Sequence, residues 1–306
     1  MSATIMRSNF HSDLLPIINE WHGDDIKMQE DIRSSLGYDM KSSDKSFEVF
    51  GVMSGMSTLQ NMDENENLSY DDSRESYTPR FNHDKYGLGF KITLEMRQDG
   101  RAFAEARRFT KMLSKAVVET KNILAANVLN NGFTSGYTQD GGDGVILFSA
   151  SHPSIYGNQS NVVTSNPDLS EAAIEAANIQ IQNLRDDRGL RINLKPRKIL
   201  VNHQQAPDLD RILNSSLRVD TANNDLNFIK ASGLVPEGYY ATPYLTDTDA
   251  WYVLTDAMDG LQFFNRYDSP VEMDNVFDNK NACYSKLIRV SQGWINYRAV
   301  MASQGS

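Results

Sequence analysis

The sequence is short of most features that would mark an enzyme, a membrane protein or a secreted one. It has one cysteine among 306 residues, Cys283, so no disulfide can form within the chain and the reading is of an intracellular protein. Nothing around Asn281–Tyr284 supplies a thiolate-stabilising pattern. The five histidines, at 11, 22, 83, 152 and 203, lack metal-ligand spacing. No phosphate loop, dinucleotide fingerprint or paired-carboxylate motif appears, and no cofactor is expected. No apolar run approaches the ~18 residues of a membrane span. Met1–Phe10 lacks the apolar core of a signal peptide. There is no repeat at a solenoid period. Positive charge is scarce as well: 30 Lys+Arg face 40 Asp+Glu, a net charge of −10. That balance argues against a dedicated DNA-binding protein and suits solubility at high concentration.

What is present starts with one long helical pattern. From Asp99 to Gly132, apolar or small residues recur in steps of three and four: Phe103, Ala106, Phe109, Leu113, Ala116, Val117, Thr120, Ile123, Leu124, Asn127 and Val128. Asp99 and Gly100 would cap it and Asn130-Asn131-Gly132 would stop it. Such a helix spans roughly 50 Å. Arg97–Lys121 carries seven Lys/Arg against three Asp/Glu, a basic rod in an acidic chain, whereas residues 1–96 have a net charge of −8. Acidic extensions attached to a basic rod suggest complementary packing between subunits.

Residues 1–46 read as a polar arm. Leu14, Leu15, Ile17, Ile18 and Trp21 would form one short amphipathic helix and Asp24–Arg33 a second, both too short to stand alone. Phe47–Val52 and Tyr77–Leu94 have β character and flank an acidic stretch over 57–76, so the expectation is one long hairpin from Phe47 out and back to Leu94. A two-stranded hairpin is marginal in water and needs a surface to lie on. Further on, Val145–Phe148 reads as a strand after a Gly-rich turn. Leu169–Arg185 reads as a helix capped by Asp168 or Ser170, and Ala206–Leu213 as another, with Pro207 near its start. Lys198–Asn202, Ala250–Leu254 and Leu261–Phe264 read as strands. Two terminal strands are expected, Tyr284–Val290 and Gly293–Val300. Asn223–Asn227 reads as a turn, and Asp278 and Lys280 lie in a polar connection.

Two local patterns invite a chemical reading. Asp140 and Asp143 are hard oxygen ligands, but the Asp-x-Asp-x-Asp-Gly calcium spacing and its distal Glu are absent. Ser149 and Ser151 precede His152, which suggests a hydrolase. No Gly-x-Ser-x-Gly elbow accompanies them, and catalytic triads are assembled from distant segments.

Several stretches in this order resemble the tailed-phage major capsid protein of the Hong Kong 97-like fold, in particular the Mu-like major head subunit family. They are Tyr86–Met96, Leu129–Phe133, Leu147–Pro153, Pro243–Asp247, Asp249–Tyr252, Ser285–Arg289 and Ser291–Gly293. The resemblance covers roughly residues 45–306. It implies an α+β chain with an N-arm over 1–46, an extended E-loop over 47–95 and a peripheral domain with a spine helix over 96–168. An axial domain over 169–268 and return strands over 269–306 would complete it. It also implies a non-enzymatic protein of the virion that forms hexamers and pentamers, and then an icosahedral shell around double-stranded DNA. Assembly would take place in the host cytoplasm, with portal and scaffolding proteins and in some cases a decoration protein. Contact with DNA would be weak and non-specific. The arm is too short for a built-in scaffolding segment, so a separate scaffold is expected, or the sequence is already mature. Some members cross-link a hairpin lysine to a neighbour's asparagine; Lys85 and Lys91 are the hairpin lysines here, with no motif that carries the link over. The expected assembly contacts are Phe81, Tyr86 and Phe90 on the hairpin, Asp71 and Asp72 near its tip, and Arg107 and Arg108 on the helix. An encapsulin-like nanocompartment keeps the same fold as an alternative.

Overall fold

The computed structural model describes residues 10–63, 67–68, 70–72, 75–136, 140–217, 226–275 and 281–305. The chain opens with α1 (Phe10–Lys27), one helix that runs through Pro16 where two short ones were expected. After β1 (Asp39–Ser42) come β2 (Phe47–Val49), β3 (Val52–Met53), β4 (Glu75–Tyr77), β5 (Arg80–Asn82) and β6 (Asp84–Ile92). A short α2 (Leu94–Gln98) precedes the long α3 (Ala102–Asn130). Gly100, at φ +74°, breaks one from the other, and Arg101 caps α3 without a side-chain bond, so the expected Asp99 cap is not used. The 29 residues of α3 give a rod of about 44 Å.

The buried face of α3 is more polar than its periodicity suggested. Ala106, Leu113, Val117 and Val128 are buried as expected, but so are Thr110, Ser114, Lys121, Asn122, Ala125 and Leu129, while Phe103 and Ile123 are exposed. The cause is α1, which packs along this face. Thr110 and Ser114 turn their hydroxyls back onto carbonyls four residues earlier, at 2.7 and 2.9 Å. Asn122 donates to the Glu30 carbonyl at 2.9 Å and accepts from the Ile32 amide at 3.3 Å. The arm, expected to need a surface to lie on, finds it on the body of its own chain. Its β1 also pairs in parallel with a strand from the far end of the chain, Asp39 opposite Gln262.

Beyond α3 lie β7 (Asp140–Gly141), α4 (Glu171–Gln182), β8 (Pro196–Asn202), α5 (Ala206–Asn214), α6 (Phe228–Ser232), β9 (Tyr239–Thr242), β10 (Trp251–Thr255), β11 (Leu261–Asp268), β12 (Glu272–Asn275), β13 (Ala282–Trp294) and β14 (Val300–Ser303). The last two replace the expected pair of terminal strands: one 13-residue strand runs to Trp294, and a 3-10 turn over Tyr297–Ala299 leads into β14. Residues 145–148 form no strand, although Leu147 and Phe148 are buried. Most of the expected turn at 223–227, and the connection bearing Asp278 and Lys280, lie outside the described residues.

Two sheets organise the molecule. In the first, β13 is central, with β11 and β12 along one edge and β6 and β7 along the other. The strand β6 does not close the hairpin: it pairs with β13 from Ala282–Ile92 to Val290–Asp84. The hairpin proper is β2–β5 continued by β3–β4. The second sheet has the order β14-β10-β8-β9. All five residues of β10 are buried, because the sheet is covered on both faces. Trp251 and Val253 enter a core with Ile174 and Ile181 of α4, while Tyr252 and Leu254 enter the core shared with Val128 and Leu129 of α3. A strand buried on both faces reads as a continuous apolar run. The helix α4 starts where its cap predicts, with the Ser170 hydroxyl accepting from the Ala173 amide at 3.2 Å.

Candidate functional site

The hairpin is rooted in its own chain. Phe81 is 0% exposed. Its ring lies 5.9 Å from Phe50 and 5.0 Å from Phe264, in a small cluster with Ile295. The Tyr77 hydroxyl donates to the Ile295 carbonyl at 2.7 Å. Phe81 is thus a root residue, and its expected role as a contact between subunits is corrected. Tyr86 is half-buried on the α3 side of β6, where it packs against the core. Phe90 is stacked between Phe109 (5.5 Å) and Tyr284 (5.1 Å). Both rings are largely consumed within the subunit.

Further out, one residue that the sequence did not single out holds the neck. Arg188, from the loop after α4, donates to the carbonyls of Gly55 (3.1 Å) and Asp72 and lies 3.4 Å from the Asp71 carboxylate. The Ser57 amide donates to Asp71 at 2.7 Å. That backbone bond, with help from Arg188, holds the Asp71 carboxyl below the usual carboxylate range. Asp71 and Asp72 are therefore engaged by their own chain. Beyond this clamp the hairpin exposes Met56, Leu59 (100%), Met62, Leu68 (68%) and Tyr70 (92%). Glu64, Glu66 and Arg74 of the acidic stretch lie outside the described residues. An apolar tip on a fixed neck is the feature that sequence reading missed. Its Met and Leu spacing was visible, but it was masked by the acidic residues between.

The basic rod is also partly spent inside the subunit. Arg107 makes a bidentate pair with Asp25 of α1, at 2.5 and 3.0 Å, and lies 5.3 Å above the Trp21 ring. The Asp25 side chain is buried. Arg108 stays exposed, 3.9 Å from Glu105. Lower down, Asp268 holds two buried lysines, Lys121 at 2.9 Å and Lys286. Burial pushes the Asp268 carboxyl up, but hydrogen bonds from Lys286 and Lys121 outweigh it and keep it low. His22 bonds the Ser114 hydroxyl at 2.7 Å. Burial, reinforced by Lys286, pushes its pKa down to about 4. The expected acid–base contact exists, but at Arg107 it joins α1 to α3 of one chain. The seven expected contacts thus separate into hairpin root, sheet, neck and helix pair; they form no single patch.

The serine–histidine stretch is a structural knot. His152 is fully buried and parallel to Tyr297 at 3.9 Å. Its Nδ1 faces Asp143 at 2.8 Å, and its Nε2 faces the Leu147 carbonyl (3.2 Å) and Asn161 Oδ1 (3.1 Å). The Ser149 hydroxyl accepts from the Ser151 amide at 3.1 Å, and the Ser151 hydroxyl accepts from Asn158 at 2.7 Å. Both ring nitrogens face oxygens other than a serine hydroxyl, so the hydrolase arrangement is not formed. Asp140 faces Asn82 at 3.5 Å and Asp143 faces His152, so the two do not converge as ligands. Burial raises the Asp140 pKa to about 6.

Residues 77–302 match the sequence profile of a family described as phage capsid protein. No curated protein matches the chain. Among solved structures, the capsid of a native GTA particle superposes with a TM-score of 0.57 at 11% identity, covering 90% of each chain. The capsid of Ralstonia phage GP4 does so at 0.55 and 10% identity, covering 88% of this chain and 87% of that one. The procapsid of bacteriophage JBD30 gives 0.51 at 11% identity, covering 96% and 75%. At such identities the likeness is one of fold: the α+β architecture is that of Hong Kong 97-like capsid subunits. The sequence profile goes further, for it spans well over half of the chain, and this protein belongs to the phage capsid protein family.

Proposed function

We propose that the chain is the shell-building subunit of a tailed-phage head. It assembles into hexamers and pentamers that close into an icosahedral shell around double-stranded DNA. The observation that carries this reading is the hairpin: rooted at Phe81, clamped at Arg188, and ending in large apolar side chains, Leu59 and Tyr70 foremost, that stay exposed among the described residues. Burying a large apolar side chain contributes about 1.5–3 kcal/mol. The tip therefore holds several such increments that only another molecule can realise. Around a ring each copy gives one tip and receives another, so modest contacts multiply.

In this reading the β2–β5 hairpin with its tip is the E-loop, α3 is the spine of the peripheral domain, and the α4–β10 region forms the axial domain. Residues 1–46 are the N-arm, and the strands after 269 return to the peripheral domain. A separate scaffolding protein, a portal and in some heads a decoration protein would be its partners. Assembly takes place in the host cytoplasm, and contact with DNA is weak and non-specific. The test is electron microscopy of the purified protein, with and without its scaffold, beside a variant lacking residues 57–70. Closed shells from the full chain and folded, unassembled subunits from the variant are expected. Monomers from the full chain under all conditions, or normal shells from the variant, overturn the reading.

A further inference from the structure

The outer face of the first sheet carries a groove that the account so far has not used. Lys85, Arg289 and Tyr267 stand opposite one another across β6, β13 and β11. Arg266 sits at the bulge beside Tyr267. Together with His83 and Leu287 they line a groove of about 480 Å³. The lower end of the face is bare: Gly87 lies opposite Leu287 and Gly89 opposite Ser285, and a Cβ at Gly87 would meet the Leu287 side chain at 2.5 Å. Lys85, Gly87 and Gly89 all stay exposed.

The charge here is unbalanced. Among the described residues no carboxylate pairs with Lys85, Arg266 or Arg289, whereas Arg107, Lys121, Lys286 and Arg298 each hold one. Among the described residues the Arg289 guanidinium makes one hydrogen bond, to the His83 carbonyl at 3.4 Å. Arg266 Nε is buried with no partner among the described residues. A desolvated guanidinium nitrogen left unpaired is unfavourable unless an acceptor arrives. The nearby Glu48 is already taken by Ser43 and Lys45. Burial first, and then Arg289, lowers the His83 pKa.

We propose that this groove receives the acidic hairpin tip, residues 63–66, of a second copy of the chain. Carboxylates of Glu64 and Glu66 would meet Lys85, Arg266 and Arg289, and the neighbouring apolar tip residues would settle on Leu287 and Tyr267. The proposal rests on the capsid-subunit reading and names the docking site within it. Charge complementarity selects the occupant: the sequence Asp63-Glu64-Asn65-Glu66 is the densest acidic run of the hairpin, and it lies between the two neck segments that Arg188 holds. It also relocates the intersubunit electrostatics from α3, where Arg107 is already paired, to the sheet.

The experiment mixes 15N-labelled and unlabelled full-length protein under assembly conditions and couples contacting amines and carboxylates with a zero-length carbodiimide. Mass spectrometry is expected to find Lys85 joined to Glu64 or Glu66 in light–heavy pairs, with a yield that falls as salt rises. Coupling only within one chain, or none at Lys85, overturns the proposal. In parallel, Arg289→Glu and the more exposed Lys85→Glu are each expected to cut assembly at least tenfold while the subunit melts normally. Glu64→Lys with Glu66→Lys in the same chain is expected to restore it. Unimpaired assembly of Lys85→Glu, failure of the restoring pair, or capture of duplex DNA by the groove with the tip left uncoupled overturns it. Wild-type protein that builds no shells defeats the broader reading alone, because the light–heavy coupling still decides the contact.

Discussion

Replacing Arg107 with alanine should destabilise the isolated subunit by about 2–3 kcal/mol, whereas Arg108→Ala should change it by less than ~0.5 kcal/mol. The two arginines are adjacent on one helix and differ in what they touch. Arg107 forks onto Asp25, whose side chain is only 5% exposed. Removing one member of a fully buried pair costs roughly 3–5 kcal/mol, mostly because the remaining charge stays desolvated. Arg107 itself is 41% exposed, so water reaches the vacated position and the cost falls below that range, to about 2 kcal/mol. Loss of the stacking contact on Trp21 adds roughly 0.5 kcal/mol. With an unfolding entropy of ~2.1 cal/mol/K per residue and 306 residues, 2–3 kcal/mol corresponds to a fall in Tm of about 4 °C. The assay is thermal unfolding of unassembled subunits in a double-mutant cycle with Asp25→Asn, which isolates the pair. A coupling energy below ~0.5 kcal/mol, or equal Tm values for the two alanine variants, would refute the assignment of Arg107 to the α1–α3 contact.

Two further outcomes follow from buried histidines. The folded-state pKa of His22 is lowered from 6.5 to about 4, so the unfolded chain binds the proton first. Its contribution to stability is complete above pH 6.5 and is lost as pH falls toward 4, by about 3 kcal/mol. His22→Gln should flatten the stability curve in that window, and parallel curves for the two proteins in urea titrations would sink the idea. His152→Ala empties a stacked site and strands the Asp143 carboxylate, whose side chain is 0% exposed. A loss of roughly 3–5 kcal/mol in denaturant unfolding is expected, and a loss under ~1 kcal/mol would contradict the structural role.

Much of the fold could be read where one local signal sufficed. The period of α3, the Ser170 cap of α4 and the continuous apolar run of β10 each match their structural cause. The reading failed where the partner was distant or polar. β6 has the alternation of a hairpin strand, but its partner is β13 and not β2; strand character alone does not specify pairing. Thr110, Ser114 and Asn122 were not part of the expected apolar face and are buried, because α1 covers them and their polar groups are met by α3's own carbonyls, by His22 and by the segment after α1. Leu147 and Phe148 are apolar yet not in a strand, since the His152–Asn161 knot holds that segment by side chains. At the candidate site, charge counting found the right kinds of residue and the wrong pairs. Arg107 met an acid on its own chain, and Lys85, Arg266 and Arg289, which hold no carboxylate among the described residues, lie on strands whose juxtaposition depends on long-range topology.

The pairing of β6 with β13 also sets the tempo of folding. The paired residues are 190 positions apart at Ala282–Ile92 and 206 apart at Val290–Asp84. Closing so long a loop adds little to the equilibrium penalty, which grows only with the logarithm of length. It does delay the event, because non-local strand pairing is the slow part of forming such a sheet. Until β13 arrives, β6 is an unpaired edge attached to a hairpin with an apolar tip, a combination prone to aggregate. A subunit made in large numbers therefore passes through a vulnerable interval before it can enter a shell, and the yield of competent subunits is decided there by competition between two rates.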